Sequence, residues 1–376
     1  MPKVLRAGIV GSGFMAKVHA RAIRDAGHEV IGIASSTPES ARRVADQIAI
    51  GTVFDSWQEL VDSDSVDVVH VCTPNELHAE IAIAAANAGK NIVCEKPIAV
   101  SYAEAKEIRD AVEGNGVEFA VPFAYRFYPV VREMRQRLQH GEAGPVHLIH
   151  GNYLQDWLAD EEATNWRVDS THGGVSRAFA DIGTHWCDLM EFVSGDRIAS
   201  LTANCSRAYE NRGGRKVLTE DIANVIFKTV SGVSGSLTVS QVSLGRKNQL
   251  LIEFDGSKAS YTFNQENPDS LLVGGKTSNQ IITHGQETLR FDDAKRLSQV
   301  PSGHPQGYQD AFNAFMADAY DVFQGEKRDG VANIEDGVRA AALVEAVVTS
   351  AESKQWVEVV ISSGLKDLEA ELLVSK

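Results

Sequence analysis

Residues 8 to 16 read Gly8-Ile9-Val10-Gly11-Ser12-Gly13-Phe14-Met15-Ala16, and this corner constrains the fold more than any other stretch of the chain. Val4 to Val10 before it has the apolar density of a buried strand. Phe14 to Asp25 after it sets Phe14, Val18, Ala22 and Ile23 on the inner side of a helix. Gly11 permits a tight turn, Gly13 lets backbone approach a phosphate, and Ala16 takes the small helix-packing position. The helix start, with Phe14 and Met15 in its first turn, then turns free N–H groups toward the phosphates of a dinucleotide. The alternative is a glycine-rich corner that binds nothing, and the strand before and helix after count against it.

The same alternation continues through the first 123 residues. Strands are expected at 4–10, 29–34, 66–72, 91–94 and 117–121, and helices at 14–26, 38–48, 56–62, 75–88 and 101–114. The run Val66 to Val71 is apolar enough to be covered on both faces, as parallel strands are. Thr37-Pro38 and Ser101-x-x-Glu104 mark helix starts. The expectation for 1–123 is an α/β dinucleotide-binding Rossmann domain with a doubly wound parallel sheet.

After Pro122 the rhythm changes. A helix at 128–140, a strand at 146–153, a polar loop rich in Trp, and a helix near 180–193 lead into alternating strands from 198 to 264. Residues 270–300 read as hairpins and loops, and two helices follow near 305–324 and 333–352. The second unit, 124–376, is therefore an α+β substrate-binding and oligomerisation domain with a large, mostly antiparallel open sheet. Its last helices are expected to pack back toward the first domain. Alternating Val225, Phe227, Leu237 and Val239 suggest an apolar sheet face needing a partner, hence a homodimer or homotetramer through the open sheet.

A chain of 376 residues can bury two substantial cores. Its net charge of −15 argues against nucleic acid and anionic membrane surfaces as partners. There is no run of 18 apolar residues, and Met1-Pro2-Lys3 runs straight into a strand with no room for a signal peptide. Cys72, Cys94, Cys187 and Cys205 form no CxxC pair and fit buried free thiols better than disulfides or zinc. The expected location is the cytoplasm.

Three further motifs carry chemistry: Cys72-Thr73-Pro74-Asn75-x-x-His78, Glu95-Lys96-Pro97 and Asp181-Ile182-Gly183-Thr184-His185. Together with the glycine turn they resemble the Gfo/Idh/MocA family of sugar and polyol oxidoreductases, and the resemblance covers essentially the whole chain. Within it, Tyr153-Leu154-Gln155-Asp156-Trp157 and Trp166-Arg167 look like the levoglucosan and glycoside 3-dehydrogenase members.

Oxidising a carbinol requires a bound nicotinamide, a base for the hydroxyl proton and groups that fix the reacting carbon. Lys96 follows a buried strand, where its ammonium can be desolvated and its pKa lowered. The resemblance implies that it hydrogen-bonds the reacting hydroxyl; a surface lysine paired with Glu95 is the alternative. Asp181 and His185 are four apart and share a face if the segment is α-helical. The resemblance makes His185 the acid/base and Asp181 its partner in a Lys–Asp–His set. Asp-x-x-x-His is also a metal-ligand spacing and a common polar helix face, and with no third ligand nearby no metal is expected.

Thr73 and Asn75 stand where an open sheet meets its ligand, able to cap the next helix or touch a ribose. His78 is a cofactor-proximal position by resemblance and equally a core histidine. Glu95 and Arg126 complete the expected cofactor contacts, with Arg126 and Tyr153 also standing behind the substrate residues. Gln155, Trp157 and Arg167 are the expected substrate contacts, and Asp156, Tyr125 and Trp166 belong to the same group. Packing of the open sheet would use such aromatics equally well. His304 and Tyr308 open a helix that the family folds toward the site.

The cofactor reads as NAD, with NADP not excluded. Where an acidic residue would clasp the ribose, the chain has Ala34-Ser35-Ser36-Thr37, so Ser35 and Ser36 are the expected contacts, while Arg42 and Arg43 lie further along. The implied activity moves a hydride between a ring carbinol of a sugar, anhydrosugar, glycoside or inositol and the nicotinamide. A redox-neutral NAD-dependent glycoside hydrolase and a non-catalytic dinucleotide sensor are the alternatives.

Overall fold

The computed structural model describes residues 3–360; Met1-Pro2 and the last part of the second unit, 361–376, lie outside the described residues. The first unit alternates β1 (Arg6–Val10), α1 (Phe14–Asp25), β2 (Glu29–Ala34), α2 (Pro38–Ile48), β3 (Thr52–Val53), α3 (Trp57–Asp62), β4 (Val68–Val71), α4 (His78–Asn87), β5 (Asn91–Cys94), α5 (Tyr102–Asn115) and β6 (Phe119–Ala120). The six strands form one parallel sheet in the order β3-β2-β1-β4-β5-β6. The order reverses between β1 and β4, and the ends of those strands open the crevice in which such sheets take ligands. The helix starts follow the local chemistry expected of them. Thr37 and Ser101 side chains accept from Ser40 N at 3.1 Å and Glu104 N at 3.2 Å.

The second unit begins with α6 (Pro129–Gln139), β7 (Val146–Leu154), the short α7 (Ser170–Gly173) and α8 (Thr184–Ser194). Then come β8 (Ile198–Ser206), β9 (Asn211–Arg212), β10 (Arg215–Lys216), β11 (Ile222–Thr229), β12 (Ser234–Ser240), β13 (Gln249–Gly256), β14 (Ser260–Asn264), β15 (Ser270–Gly274) and β16 (Gln280–Thr283). It closes with α9 (Asp292–Leu297), α10 (Tyr308–Phe323), α11 (Ile334–Ser353) and β17 (Val357–Glu358). Its nine-stranded sheet runs β16-β15-β14-β13-β7-β12-β11-β8-β17, antiparallel except where β12 lies parallel to β7. The two-residue hairpin β9–β10, the helix α9 and the edge strand β17 are too short to leave a period in the sequence.

One expectation about the sheet is overturned. Val225, Phe227, Leu237 and Val239 are buried, on the face covered by α6 and α8, where the Trp186 ring lies 6.0 Å from Phe227. The opposite face presents Asn224, Ile226, Lys228, Ser236 and Thr238, so it is polar with isolated apolar side chains. Strand alternation identified the residues but not which face met the helices.

The closing helices do pack back on the first unit. α10 lies against α1 and α11 against α5. Val121 N donates to Ala332 O at 2.8 Å, and Asn313 reaches Asp25 at 2.9 Å. Ala332, Ile334, Val338, Ala340 and Ala341 belong to the same buried cluster as Val69, Ile92 and Ile108 of the parallel sheet and its helices. Cys94 and Cys187 are buried thiols, Cys72 and Cys205 half-buried, and all four are free. Among the described residues no helix is long and apolar enough to cross a membrane.

Candidate functional site

The chain leaves β1 through Gly11, at φ +122°, where an added Cβ would stand 2.3 Å from the carbonyl oxygen of Cys72. Only glycine lets the ends of β1 and β4 approach so closely. Gly13 caps α1 with no side-chain hydrogen bond, and the space where its Cβ would point is open. The first N–H groups of α1 are therefore left for a ligand. A cleft of about 630 Å³ opens here. It is lined by Gly11, Gly13, Phe14, Met15, Ser35, Ser36, Thr73, Asn75, His78, Glu95, Lys96, Trp166 and Arg167. At its far wall Ser35 Oγ meets Ser12 Oγ at 2.7 Å and accepts from Ser40 Oγ at 2.9 Å; Arg42 and Arg43 are exposed on α2 and do not line it. An uncapped helix start, an open glycine and a hydroxyl-lined strand end fit a dinucleotide.

The other expected cofactor residues divide. Thr73 Oγ1 is buried without a protein hydrogen bond, and Asn75 Nδ2 donates to Gly173 O at 3.3 Å. Both His78 ring nitrogens face carbonyls, Pro97 O at 2.7 Å and Thr73 O at 2.9 Å; the neutral ring donates to one of them and sits between the two motif loops. Burial pushes its pKa down. Arg126 departs from its expected place. Its guanidinium donates through Nε and Nη2 to both carboxylate oxygens of Asp188 and reaches Asp336 at 3.1 Å, and it does not line the cleft. Two carboxylates pay for its burial, and they hold it against α8 and α11.

Lys96, whose bond to Pro97 is cis, extends from the end of β5 across the cleft. Its Nζ donates to Asp181 O at 2.7 Å and to Asp181 Oδ1 at 3.1 Å. Arg167 Nε lies 3.4 Å from the same oxygen, and Gln241 Nε2 donates to Asp181 Oδ2 at 2.8 Å. Burial alone would raise the Asp181 pKa, but the charges of Lys96 and Arg167 outweigh it and hold the carboxyl well below the usual range. The segment Phe179–Gly183 is a π turn rather than α-helix: Thr184 N–H reaches back five residues to Phe179 O. A Cβ on Gly183 would press within 2.5 Å of the Phe179 ring. The wider turn directs Asp181 to Lys96; no hydrogen bond joins it to His185, on which it acts through its charge.

The half-buried His185 ring stands against Tyr125, Phe123 and Tyr153, with centroids 5.0, 5.5 and 6.4 Å away. Its Nδ1 is buried without a protein partner. Desolvation, then the charge of Lys96, push its pKa well below 6.5, so the ring is neutral at pH 7. Beyond it runs a polar wall. Tyr125 OH meets Tyr153 OH at 2.5 Å, Tyr153 OH donates to Asn248 Oδ1 at 2.7 Å, Gln155 Nε2 to the same oxygen at 2.8 Å, and Trp157 Nε1 to Gln155 Oε1 at 2.9 Å. Burial raises the Tyr125 and Tyr153 pKa values, keeping both phenols neutral. Trp157 is 36% exposed, and Arg167 stacks on Trp166 at 4.3 Å. Asp156 turns outward to Lys247 at 2.6 Å. Tyr308 approaches Tyr125 at 6.3 Å, whereas His304 is exposed and bonded to Pro301 O.

Several residues here had no sequence signal. Gln241 and Asn248 hold Asp181 and the wall from loops far along the chain. Glu220 caps the entry to the π turn, accepting from Ser176 Oγ at 2.8 Å, Arg177 N at 3.1 Å and Phe179 N at 2.9 Å. Beside it Arg177 and Arg212 clamp the buried Asp221. A group with metal-ligand spacing, His150, Glu253 and Asp255, lies on the outward sheet face and not at Asp181 and His185.

Comparison with known proteins agrees with this geometry. Residues 5–123 match the model of the oxidoreductase family with NAD-binding Rossmann fold, and residues 131–262 match the Gfo/Idh/MocA C-terminal domain. The chain belongs to the Gfo/Idh/MocA family of oxidoreductases, and its first unit is that family's NAD-binding domain. It is 30% identical to levoglucosan dehydrogenase of Pseudarthrobacter phenanthrenivorans over 394 residues, 94% of this chain and 98% of the relative. It is also 30% identical to 1,5-anhydro-D-fructose reductase of Ensifer adhaerens over 358 residues, 94% of this chain and 98% of that one. A solved structure of levoglucosan dehydrogenase in complex with NADH and levoglucosan superposes with a TM-score of 0.89 at 29% identity, covering 95% of this chain and 100% of that one.

Proposed function

We propose that this oxidoreductase uses NAD to oxidise a secondary ring hydroxyl of a cyclic sugar-like substrate, with an anhydrosugar as the leading class. The observation that carries the reading is the convergence of the cleft-lining Lys96 with the Asp181 carboxylate it bonds and a neutral His185 that feels the charge of both. NAD, when bound, supplies the hydride acceptor. The ammonium of Lys96, anchored on Asp181, turns a remaining N–H to the reacting hydroxyl oxygen and stabilises negative charge developing there. The unpartnered His185 imidazole takes the hydroxyl proton, and its neutral form is the one able to accept it. As hydride and proton depart, the carbinol becomes a ketone.

Two relatives named for anhydrosugars support the substrate class. So does a site walled by a tyrosine–asparagine–glutamine hydrogen-bond chain and bordered by Trp157 and Arg167, which suits a compact ring carrying several hydroxyls. Ser35 and Ser36 at the strand end, with no cation beside them in the cleft, support NAD over NADP. The test is the absorbance of reduced nicotinamide after mixing purified protein with NAD or NADP and a panel of levoglucosan, 1,5-anhydroglucitol, inositols, aldoses and aryl glycosides. Growth with NAD and an anhydrosugar is expected. A flat trace with every sugar while NAD still binds would overturn the dehydrogenase reading.

A further inference from the structure

A buried line of hydrogen bonds runs from the floor of the cleft to α10. Glu95 Oε1 faces His19 Nε2 at 3.0 Å, His19 Nδ1 faces His70 Nδ1 at 2.9 Å, and His70 Nε2 faces the Tyr320 hydroxyl at 2.8 Å. His19, His70 and Tyr320 are each 0% exposed, while Glu95 borders the cleft beside Lys96. The second carboxylate oxygen, Oε2, takes only the Lys96 backbone N–H, at 3.3 Å.

The proton positions follow from the partners. A carboxylate accepts, so His19 carries its proton on Nε2 and offers a lone pair at Nδ1. That lone pair takes the Nδ1–H of His70, which leaves His70 Nε2 to accept from Tyr320 O–H. Every donor in the line then points toward Glu95. Burial alone would raise the Glu95 pKa, yet the hydrogen bond from His19 and the nearby charge of Lys96 bring it below the ordinary value, and burial keeps His70 neutral.

Resting on the reading of the cleft as an NAD site, we propose that His19, His70 and Tyr320 are positioning residues. They hold Glu95 as a fixed anion under the Lys96 end of the cleft, so that the protein binds oxidised cofactor in preference to reduced. The nicotinamide must lie at that end if Lys96 is to reach the reacting hydroxyl. The oxidised ring carries a positive charge and the reduced ring none, so a pre-set carboxylate in a partly desolvated site attracts the first and leaves the second nearly unaffected. The line makes no hydrogen bond to His185 and does not enter the proton transfer.

Dissociation constants of the full chain for NAD and NADH, measured by calorimetry at one pH, test this. Glu95→Gln keeps the shape and removes the charge; it is expected to weaken NAD about tenfold while changing NADH less than about twofold. Tyr320→Phe removes only the last hydroxyl, far from the cleft, and is expected to shift the NAD-to-NADH ratio in the same direction by about threefold. Equal weakening of both forms in Glu95→Gln would overturn the charge preference. An unchanged ratio in a folded Tyr320→Phe protein would overturn the relay while leaving Glu95. Should Tyr320→Phe fail to fold, His70→Gln and His70→Asn decide the same point through the same ratio. Wild-type protein that binds neither form would instead overturn the NAD reading itself, which the variants cannot mimic.

Discussion

At the scale of single residues, the site separates into groups that meet the reacting atoms and groups that aim them. In the proposed reaction Lys96 belongs to the first kind. Lys96→Ala is expected to lower kcat by about 10²–10⁴-fold while leaving NAD binding within a few-fold; parallel turnover and calorimetric titrations check this. Loss of NAD affinity matching the loss of rate would assign Lys96 to cofactor binding instead. His185 makes a prediction with a definite sign. Its pKa is pushed well below 6.5, and the proton acceptor is the neutral ring. The kcat/KM for alcohol oxidation should therefore show no loss from His185 protonation between pH 7 and 6.5, and fall only at more acid pH. A limb attributable to His185, absent in His185→Asn, with its midpoint above pH 7 would contradict that role.

Residue-level motifs were the most legible part of the sequence. The glycine turn, Glu95-Lys96-Pro97 and Asp181 to His185 are each contiguous, so their chemistry can be read without knowing the fold. Arg126 was misplaced because a basic residue near a cleft reads the same whether it meets a ligand or two buried carboxylates. Gln241, Asn248 and Tyr320 were invisible for the opposite reason. Each acts on a partner at least 60 positions away, and nothing local distinguishes a buried hydrogen-bonding side chain from a surface one.

At the scale of elements, the π turn matters most. Periodicity found its helix to within a residue or two but assumed 3.6 residues per turn, and so set Asp181 and His185 on one face. The wider turn pairs Asp181 with Lys96. Its entry depends on the Glu220 cap, which takes two backbone N–H groups and a hydroxyl in a buried setting. Glu220→Ala is expected to cost about 1–3 kcal/mol of stability. It should also lower kcat more than it raises the Kd for NAD, since most of the cleft lining comes from the first unit. Urea unfolding with the two kinetic measurements checks this; unchanged kcat in a destabilised protein would confine Glu220 to folding. The short pieces β9, β10, α9 and β17 went unread because two to six residues cannot display a period.

At the scale of the whole molecule, burial of neutral histidines couples stability to pH. His70, His78 and His185 all have pKa values lowered by desolvation. Below about pH 6.5 the unfolded chain binds protons that the folded chain refuses, so stability falls with pH by up to ~1.4 kcal/mol per unit for each such group. Melting temperature should already drop between pH 6.5 and 5.5, ahead of carboxylate titration; a constant value down to pH 5 would refute it. With the apolar face covered by helices, we propose the outward sheet face, polar but carrying Ile226 at 55% exposure and Ile281 at 71%, as the surface by which two copies associate. Light scattering should give a dimer or tetramer, reduced in mass by Ile226→Lys, and a monomer at micromolar concentration would dismiss it.

The packing of α11 into the first unit has a consequence for how the protein is made. The parallel sheet lies in the first third of the chain, yet one side of its core is closed by Ala332, Ile334, Val338 and Ala341. On a ribosome adding about 5–20 residues per second, the roughly 210 residues between β6 and that helix take on the order of 10–40 s to appear. For that interval the nascent nucleotide domain carries an uncovered apolar flank, a binding site for holdase chaperones that vanishes when synthesis reaches α11.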